Sequence, residues 1–438
     1  MRAYCCSLIR GLTQQKEQQM SAPLLRNIKV FALAGGAGSR LMPLTAKRAK
    51  PAVPFGAKWT IFDLVMWSLY HSGFRDVGVL VQKNAVSLTD HLAQAWPRRP
   101  DGGSYFQVLP PEGFEGRHEY LGTADAVYQH LHYAGNSDAV MVVSGDHLYK
   151  VDFSTFWNFH VSHDADLSIM ATMVPVSAAR AFGVMGTDAD NKVTTFKEKP
   201  DHPQEVPGAP GQAYCSMGVY LFQYDVIEKY LREDARHYSS SHDFGKDIIP
   251  KMIRDKMRVF AYSFSDSSVP GQAVPYWRDI GTLDAYWEEH MNLCSDNPTI
   301  NLFSEEWPIT TVHDRTPPAK FANNAVCDHV HLAGGCIIDD SRVTYSVLGR
   351  KVTVRAGCSI QESIVFNQVL VENACVLKKV IVDVDPYLQD DERVVIPAGT
   401  QIGVDRDLDE ERGFTVTDSG ITVVPYDWFK GEKTIRVS

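Results

Sequence analysis

The sequence predicts a two-part protein, an α/β domain with a mostly parallel sheet followed by a β-helix domain. The first part rests on short apolar runs that recur up to about residue 295, with helical patterns between them. Strands that alternate with helices are typical of a parallel sheet covered by helices. The second part rests on apolar residues that recur every six positions nearer the C-terminus, which is typical of a hexapeptide-repeat β-helix.

Composition and charge narrow the class of protein further. The chain has 438 residues, of which 44% are hydrophobic and 22% charged, as expected of a globular protein with a sizeable core. Asp and Glu total 53 against 43 Lys and Arg, which gives a formal net charge of −10. An acidic chain is not expected to bind nucleic acid or a membrane surface, and no apolar run approaches the roughly 18 residues of a membrane helix.

The N-terminus and the cysteines bear on processing and compartment. Residues 1–26 are polar and Gln-rich, so we expect a flexible tail, with Met20 as an alternative start to Met1. The eight cysteines are scattered without a CxxC pair, which argues against a zinc ribbon and against a disulfide framework. Reduced cysteines predict a cytoplasmic protein.

The predicted α/β domain covers residues 27–295. Its first strand, Ile28–Leu33, is a buried apolar run that enters a glycine turn. Three further strands are expected at Asp76–Val81, Ala139–Val143 and Leu167–Met173. Helices are expected at Ile61–Ser72 and Ala124–Tyr133, and a closing helix at Leu283–Cys294.

A linker and a repeat domain are predicted after that helix. Residues 296–325 hold three proline turns, so we expect a linker there and the β-helix over 326–438. The alternative is a β-sandwich whose alternating strands match the six-residue period by coincidence. Two six-residue series of apolar residues persist over several repeats, which favours the β-helix. These series are Val352, Cys358, Ile364, Leu370, Val376 and Leu348, Val354, Ile360, Phe366. Exposed strand edges at the ends of such a helix predict capping segments or subunit contacts there.

The glycine turn after the first strand is the densest chemical signal. Residues 33–41 read LAGGAGSRL, and Gly35 and Gly36 allow backbone N–H groups to approach phosphates. Arg40 and Lys50 place two cations beside this loop, where polyphosphate chemistry builds up negative charge. Neither the Walker A pattern nor GxGxxG fits, so the stretch predicts another kind of polyphosphate site.

Carboxylates and a lysine at three later turns are candidate ligands. Asp146 follows the predicted strand at Ala139–Val143, at the edge where open α/β sheets bind ligands, and a carboxylate there suits Mg²⁺. Taken alone, a turn-capping role is equally compatible with it. Asp279 is a second carboxylate at a turn, although Arg278 could simply pair with it. Glu198 and Lys199 could bind a sugar hydroxyl and a phosphate, or form part of an exposed Lys-Glu-Lys run.

These segments resemble the signature of the sugar-1-phosphate nucleotidyltransferases, and further matches narrow the likeness to bacterial-type glucose-1-phosphate adenylyltransferases, also called ADP-glucose pyrophosphorylases. The likeness runs from about Ile28 to Ile402. The matching segments are Leu33–Leu41, Arg48–Gly56, Gly122–Val127, Ser144–His147, Phe182–Val184, Glu198–Pro200, Ser216–Gly218, His242–Asp247 and Tyr276–Thr282.

The resemblance implies a Rossmann-like catalytic domain, a left-handed β-helix and a homotetramer. It implies that ATP and glucose 1-phosphate give ADP-glucose and pyrophosphate, the glucosyl-donor step of glycogen synthesis. Arg40, Lys50 and Asp146 would be catalytic, with Mg²⁺ held by Asp146 and Asp279. Glucose 1-phosphate would be bound by Tyr120, Gly183, Glu198, Lys199 and Ser216, and the nucleotide by Gly35, Gly36, Gln82 and Gly122.

Regulation is where the chain departs from the resemblance. Lys47 and Arg48 are retained and are the predicted allosteric residues, for phosphorylated metabolite effectors. Thr60 and Asn136 stand where arginines are usual, which predicts a weak response to fructose 1,6-bisphosphate and leaves the effector open.

Two other functions are compatible with parts of the sequence. One is a nucleotidyltransferase that uses UTP, dTTP or GTP, against which the matches at 242–247 and 276–282 argue. The other is a non-catalytic regulatory subunit, against which the retained Arg40, Lys50, Asp146 and Asp279 argue.

Overall fold

The computed structural model describes residues 27–36, 38–82, 84–96, 105–112, 119–312, 315–431 and 433–436. The tail predicted for residues 1–26 lies outside these ranges. Residues from β-strand Ile28–Leu33 to helix Leu283–Leu293 form an α/β domain, and strands from Lys320 onward form a β-helix. Both parts of the predicted fold class are therefore confirmed.

The strands of the α/β domain form one large sheet and two small ones. They are β1 (Ile28–Leu33), β2 (Pro54–Phe55), β3 (Trp59–Thr60), β4 (Val77–Leu80), β5 (Phe106–Leu109), β6 (Ala139–Ser144), β7 (His147–Lys150), β8 (Leu167–Pro175), β9 (Gly183–Thr187), β10 (Val193–Glu198), β11 (Gln212–Gln223), β12 (Val259–Ser263) and β13 (Tyr276–Asp279).

The large sheet is parallel on one side and antiparallel on the other. β1 lies between β4 and β6 and is parallel to both, and β5 extends the parallel side. The long strand β11 runs antiparallel to β6, β8 and β9, and β10 forms the edge beside β9. Parallel strands end at the same edge, so β1 and β6 deliver their following loops to one place.

Helices cover both faces of this sheet, and an apolar cluster lies under each face. The helices are α1 (Ile61–His71), α2 (Ala85–Ala95), α3 (Thr123–Gln129), α4 (Phe153–Ser162), α5 (Val176–Ala179), α6 (Tyr224–Asp234), α7 (Ile249–Arg254) and α8 (Leu283–Leu293). A capping box between Thr60 and Asp63 fixes the start of α1. The helix predicted at Ala124–Tyr133 ends earlier than expected, because α3 gives way to a 3₁₀ turn, Leu131–Ala134.

A separate two-stranded ribbon lies at the edge of the sheet where β6 ends. β7 follows β6 after a turn and pairs antiparallel with β13, so that His147 stands opposite Asp279. The partner strands are far apart in sequence, and the ribbon brings the two predicted metal carboxylates to the same place.

The second domain is a β-helix of short parallel strands. Its strands are β14 (Lys320–Ala322), β15 (Val326–Leu332), β16 (Ile337–Asp339), β17 (Arg342–Leu348), β18 (Thr353–Val354), β19 (Ser359–Gln361), β20 (Ile364–Val365), β21 (Val369–Val371), β22 (Val376–Lys378), β23 (Val380–Val382), β24 (Glu392–Ile396), β25 (Gln401–Ile402), β26 (Thr415–Val416), β27 (Thr422–Val424) and β28 (Thr434–Arg436). One short helix, α9 (Arg406–Glu411), lies among them.

The coils of this helix stack in register around an apolar interior. Val343 pairs with Ile360 and Ile360 with Leu377, an equal step along the chain in both coils, and all three side chains are buried. The strand Lys320–Ala322 already pairs with β16, so the β-helix begins within the segment predicted as a linker. The earlier part of that segment is packed rather than loose, since Ile300, Trp307 and Ile309 are buried.

One coil is longer than the coil before it. Val354 pairs with Val371 at the same step as the coils above, but Val371 pairs with Ile396, a clearly longer step along the chain. The additional residues lie between β23 and β24, in a segment that we call the acidic loop, Asp383–Asp391, after its four aspartates. No helix within the described ranges combines the length and apolarity needed to span a membrane.

Candidate active site

Two cavities open at the edge of the sheet where β1 and β6 end, and Asp146 lines both of them. The larger cavity has a volume of about 520 Å³ and is also lined by Arg40, Lys50, Gly183, Glu198, Lys199, Ser216 and Asp279. The smaller one, about 340 Å³, is also lined by Gly35, Gly36, Gln82, Tyr120 and Gly122. The structure thus divides the predicted site residues between two adjoining pockets that share one carboxylate.

The glycine loop and a turn that follows it bring two cations to this edge. Arg40 lies in a 3₁₀ turn, Ser39–Leu41, and its guanidinium lies against Gly281, next to the Asp279 carboxylate. Lys50 begins a second 3₁₀ turn, Lys50–Ala52, and its side chain is only 6% exposed. The Lys50 ammonium lies 3.1 Å from Oδ2 of Asp146 and 3.3 Å from Oδ1 of Asp279. A buried ammonium needs such anionic partners.

The two carboxylates arrive from different strands. Asp146 follows the last residue of β6, Ser144, whose hydroxyl donates to Oδ1 of Asp146 at 2.5 Å. Asp279 is the last residue of β13. Burial on its own would raise the pKa of Asp146, but the Lys50 ammonium, the nearby His147 and the Ser144 hydrogen bond together hold that pKa well below its usual range. Asp146 is therefore ionised at neutral pH.

The pair of carboxylates fits a magnesium ion that also binds phosphate. Both aspartates lie within hydrogen-bonding distance of one ammonium, so their oxygens face a common point. Mg²⁺ in phosphoryl-transfer sites uses one or two carboxylates, with water and phosphate oxygens completing the shell. Among the described residues no group of three His, Cys, Asp or Glu side chains is placed to hold a metal, so water and substrate phosphates would supply the remaining ligands.

His147 is a site residue that the sequence analysis did not single out. The indole N–H of Trp277 donates to its Nδ1 at 3.4 Å. Because an indole nitrogen can only donate, the proton of the neutral imidazole is on Nε2. That Nε2–H faces Oδ1 of Asp146 and Oδ1 of Asp279, each 3.7 Å away. His147 lies close to both carboxylates because it stands opposite Asp279 in the ribbon. This position follows from the pairing of two strands that are distant in the sequence.

Gly183 and Glu198 lie on neighbouring strands in the larger cavity. A Cβ at Gly183 would lie 2.4 Å from the Phe196 ring and 2.9 Å from Oε2 of Glu198, so only glycine leaves room for that carboxylate. Burial raises the pKa of Glu198, and the neighbouring Lys199 charge partly offsets this. Lys199 is 63% exposed, with its ammonium 3.6 Å from Oε1 of Glu198, and so is free to meet an incoming phosphate.

Tyr120, which the resemblance assigns to the sugar phosphate, lines the smaller cavity with Gln82 and Gly122. Its hydroxyl donates to the carbonyl of Leu109 and shares a 2.8 Å hydrogen bond with Nε2 of His130, which fixes the ring on that side. The structure brings the other four predicted sugar-phosphate residues together without it.

Gly122 closes the smaller cavity by a tight backbone contact. A Cβ there would lie 2.3 Å from the carbonyl oxygen of His242 and 2.4 Å from that of Ser241. Thr123 and Asp243 join the same wall, since the Thr123 hydroxyl donates to Oδ2 of Asp243 at 3.0 Å. Neither residue was predicted as a site residue, although both lie inside segments that carried the resemblance.

The two predicted allosteric cations are engaged by the β-helix domain. Lys47 forms an ion pair with Asp385. Arg48 is buried, with Nη1 2.7 Å from Oδ1 of Asp383 and Nη2 donating to the carbonyl of Val384. All three acceptors belong to the acidic loop.

Comparison with known proteins agrees with this site. Residues 29–296 match the family model for nucleotidyl transferases, and residues 317–424 match the model of a GlmU-like C-terminal hexapeptide domain. The glucose-1-phosphate adenylyltransferase of Thermus thermophilus is 43% identical over 90% of this chain and 96% of its own length. The glucose-1-phosphate adenylyltransferase of Deinococcus radiodurans is 42% identical over 90% of this chain and 97% of its own length. Glucose-1-phosphate adenylyltransferase 2 of Alkalilimnicola ehrlichii is 40% identical over 92% of this chain and 94% of its own length.

Each of these relatives is at least 40% identical to this chain over nearly the whole length of both proteins, so the similarity covers the α/β domain and the β-helix domain. The shared edge of the sheet, the cations of the glycine loop and the paired carboxylates all lie within the matched residues. The chain therefore belongs to the nucleotidyl transferase family and, within it, to the glucose-1-phosphate adenylyltransferases.

Proposed function

We propose that this protein transfers the adenylyl group of ATP to α-D-glucose 1-phosphate, which gives ADP-glucose and pyrophosphate for glycogen synthesis. The observation that carries the proposal is the position of Asp146 in the wall common to both cavities. One cavity takes the nucleotide and the other the sugar phosphate, so the two reacting phosphates meet at this carboxylate.

The reaction is a direct displacement. An ionised phosphate oxygen of glucose 1-phosphate forms a bond to the α-phosphorus of ATP, and the bond from that phosphorus to the bridging oxygen of the pyrophosphate breaks. Arg40 and Lys50 lie where negative charge builds up and neutralise it. Mg²⁺ held by Asp146 and Asp279 would supply further neutralisation of phosphate charge when bound. Lys199 and Glu198 orient the sugar phosphate.

No side chain is required as a nucleophile, because the attacking phosphate is already ionised. Cys215 immediately precedes the site residue Ser216 in β11 and is fully buried. Burial raises its pKa to about 12, so it stays protonated at neutral pH and unreactive.

The choice of nucleotide can be measured directly. The relatives are named as adenylyltransferases, which supports ATP over UTP, dTTP and GTP. The experiment measures pyrophosphate release with glucose 1-phosphate and each nucleotide in turn, with Mg²⁺ present. We expect ATP to be preferred by at least about a hundredfold in kcat/KM, within the range that buried polar contacts give. Preference for another nucleotide would overturn the proposal, and no release with any of them would favour a non-catalytic subunit.

Regulation by a phosphorylated metabolite is a further part of the proposal. A cavity of about 390 Å³ lies between the acidic loop and α2, and Arg48 and Arg350 are among its lining residues. Because Lys47 is paired with Asp385, an anionic effector has to compete with that carboxylate. We expect weak or absent activation by fructose 1,6-bisphosphate. A panel of phosphorylated metabolites in the activity assay tests this, and strong activation by the bisphosphate that persists in Lys47→Ala would contradict it.

Assembly as a homotetramer in the cytoplasm completes the proposal. Large apolar side chains stay exposed on the first coils of the β-helix, among them Phe321, Val326 and Ile337. Contiguous exposed apolar surface is typical of subunit contacts. The six cysteines in the described part of the chain are free, in keeping with a reducing compartment. Light scattering is expected to give four times the chain mass, and a monomer would contradict the assembly.

A further inference from the structure

The acidic loop, Asp383–Asp391, joins the β-helix domain to the segment that carries the catalytic lysine. The loop is the extra length of one coil, and the stacking of the β-helix does not require it, since the preceding coil closes without it. Its first residues reach the α/β domain and contact Lys47 and Arg48. The contacts therefore link the two domains just ahead of Lys50.

The inner contact is a buried ion pair. The side chains of Arg48 and Asp383 are 4% and 1% exposed. The Arg48 guanidinium also donates to the carbonyl of Val384 and lies 5.4 Å from the centre of the Phe366 ring. A guanidinium in this setting has one well-defined position, because a buried charge that loses its partners costs several kcal/mol.

The outer contact is partly exposed. Lys47 and Asp385 are 36% and 31% exposed, and the Lys47 ammonium lies 4.6 Å from the centre of the Tyr426 ring. The hydrogen bond from Lys47 to Asp385 raises the pKa of Lys47 above its usual value, against the opposing effect of burial. The pair is a point of contact that can be removed without opening the core.

The segment that links these contacts to the active site is short, and structural contacts hold it on both sides of Lys47 and Arg48. Lys50 follows Arg48 by two residues and begins its own 3₁₀ turn. Upstream, the Thr45 hydroxyl donates to the carbonyl of Gly38 in the glycine loop at 2.9 Å. A shift of residues 47 and 48 therefore moves both the glycine loop and the ammonium that contacts Asp146 and Asp279.

We propose that Asp383 and Asp385 are positioning residues for adenylyl transfer: through Lys47 and Arg48 they hold Lys50 and the glycine loop in the geometry that the reaction needs. The proposal rests on the proposed function, because it assigns these residues to that same site. It also gives the β-helix domain an indirect part in catalysis, because its carboxylates position the segment that carries Lys50.

The test compares Asp385→Asn with a matched control in the same loop. Asp390→Asn removes the same charge from the same loop, but Asp390 is 92% exposed and its partner is Lys351, at 3.4 Å. We expect Asp385→Asn to lower kcat by about tenfold with KM values changed less than about twofold, since misplacement of a catalytic group acts on the chemical step. Asp390→Asn is expected to keep native kcat, and Asp385→Glu to regain most of it.

A charge exchange separates positioning from simple stability. Lys47→Asp and Asp385→Lys are each expected to lower kcat, and the double exchange to restore a large part of it. Melting temperatures are measured for every variant, so that kcat is compared only among folded proteins. Asp383→Asn, which leaves Arg48 buried without its partner, is expected to lower the melting temperature more than Asp385→Asn does.

The outcomes distinguish this proposal from the proposed function. If the native enzyme makes no ADP-glucose, the proposed function fails before any variant is compared. If the native enzyme is active and folded Asp385→Asn matches it in kcat, the positioning role is overturned. Equal losses in Asp385→Asn and Asp390→Asn would also overturn it, because they would reflect the net charge of the loop alone.

Discussion

The ammonium of Lys50 lies 3.1 Å from Oδ2 of Asp146, although 96 positions separate the two residues in the chain. The contact joins the segment between β1 and β2 to the turn after β6, and β1 and β6 are parallel neighbours in the sheet. It places a buried cation against a carboxylate at the wall between two cavities. The chemistry assigned to the protein depends on this arrangement.

Replacement of Asp146 by asparagine tests that carboxylate directly. The variant keeps the shape and removes the charge, so we expect kcat to fall by at least about a hundredfold with the fold intact, the scale seen when one major electrostatic group is lost. Asp188→Asn, in an exposed turn after β9, is the control and is expected to behave as native. Near-normal turnover of Asp146→Asn in saturating Mg²⁺ would reject the assignment.

Lys199 is expected to act on one substrate only. Lys199→Ala should raise KM for glucose 1-phosphate at least about tenfold more than KM for ATP, because only the sugar phosphate loses its charge partner. Lys197→Ala provides the comparison, since Lys197 is exposed nearby and does not line the larger cavity. Initial rates with each substrate varied in turn give both constants. Equal rises in the two KM values would remove Lys199 from this role.

Tyr120 tests the division of the site into two cavities. Its ring lines the smaller cavity, so Tyr120→Ala should raise KM for ATP more than KM for glucose 1-phosphate. Tyr120→Phe keeps the ring and loses the hydroxyl bonds to Leu109 and His130, and is expected to have the smaller effect. A larger rise for the sugar phosphate would contradict this prediction and support the role that the resemblance implies for Tyr120.

His290 predicts how stability depends on pH. Its Nδ1–H donates to the carbonyl of Tyr286 at 2.8 Å, and its Nε2 accepts from the Gly56 amide at 3.2 Å, so the buried ring is neutral. Burial lowers its pKa to about 4, while an unfolded histidine titrates near 6.5. The unfolded chain thus binds more protons between these values, and the stability from this group is lost as pH falls from about 6.5 towards 4, by at most about 3 kcal/mol.

Melting temperatures between pH 7.5 and pH 5 measure this effect. The native protein should melt at a lower temperature at the acid end, and His290→Gln should show a smaller difference between the two. His237→Gln, at an exposed position, should keep the native difference. An unchanged pH dependence in His290→Gln would exclude this contribution.

Much of the fold follows from patterns that are local in the chain. The strand Ile28–Leu33, the helix beginning at Ile61 and the β-helix strands were predicted from apolar spacing, and the structure has them. The actual step per coil, from Val343 to Ile360 and on to Leu377, is slightly shorter than three hexapeptide repeats. The apolar spacing therefore predicts the β-helix architecture correctly, but it predicts the register between successive coils less accurately.

The parts that were not predicted depend on pairings between distant segments. His147 faces both carboxylates only because β7 pairs with β13, which lies much later in the chain. The ion pairs of Lys47 and Arg48 depend on the position of the acidic loop, which belongs to the β-helix domain. Tyr120 lies in the smaller cavity because its hydroxyl bonds to Leu109 and His130, and a motif match carries no such information.

The stereochemical course at the α-phosphorus of ATP distinguishes direct attack by the sugar phosphate from transfer through the enzyme. If the two cavities hold both substrates beside Asp146 and the sugar phosphate attacks directly, one displacement occurs. ATP that is chiral at the α-phosphorus through a sulfur substituent should then give a nucleotide sugar of inverted configuration. Retention of configuration would show two displacements through an adenylylated residue of the enzyme, and would rule out direct attack by the sugar phosphate.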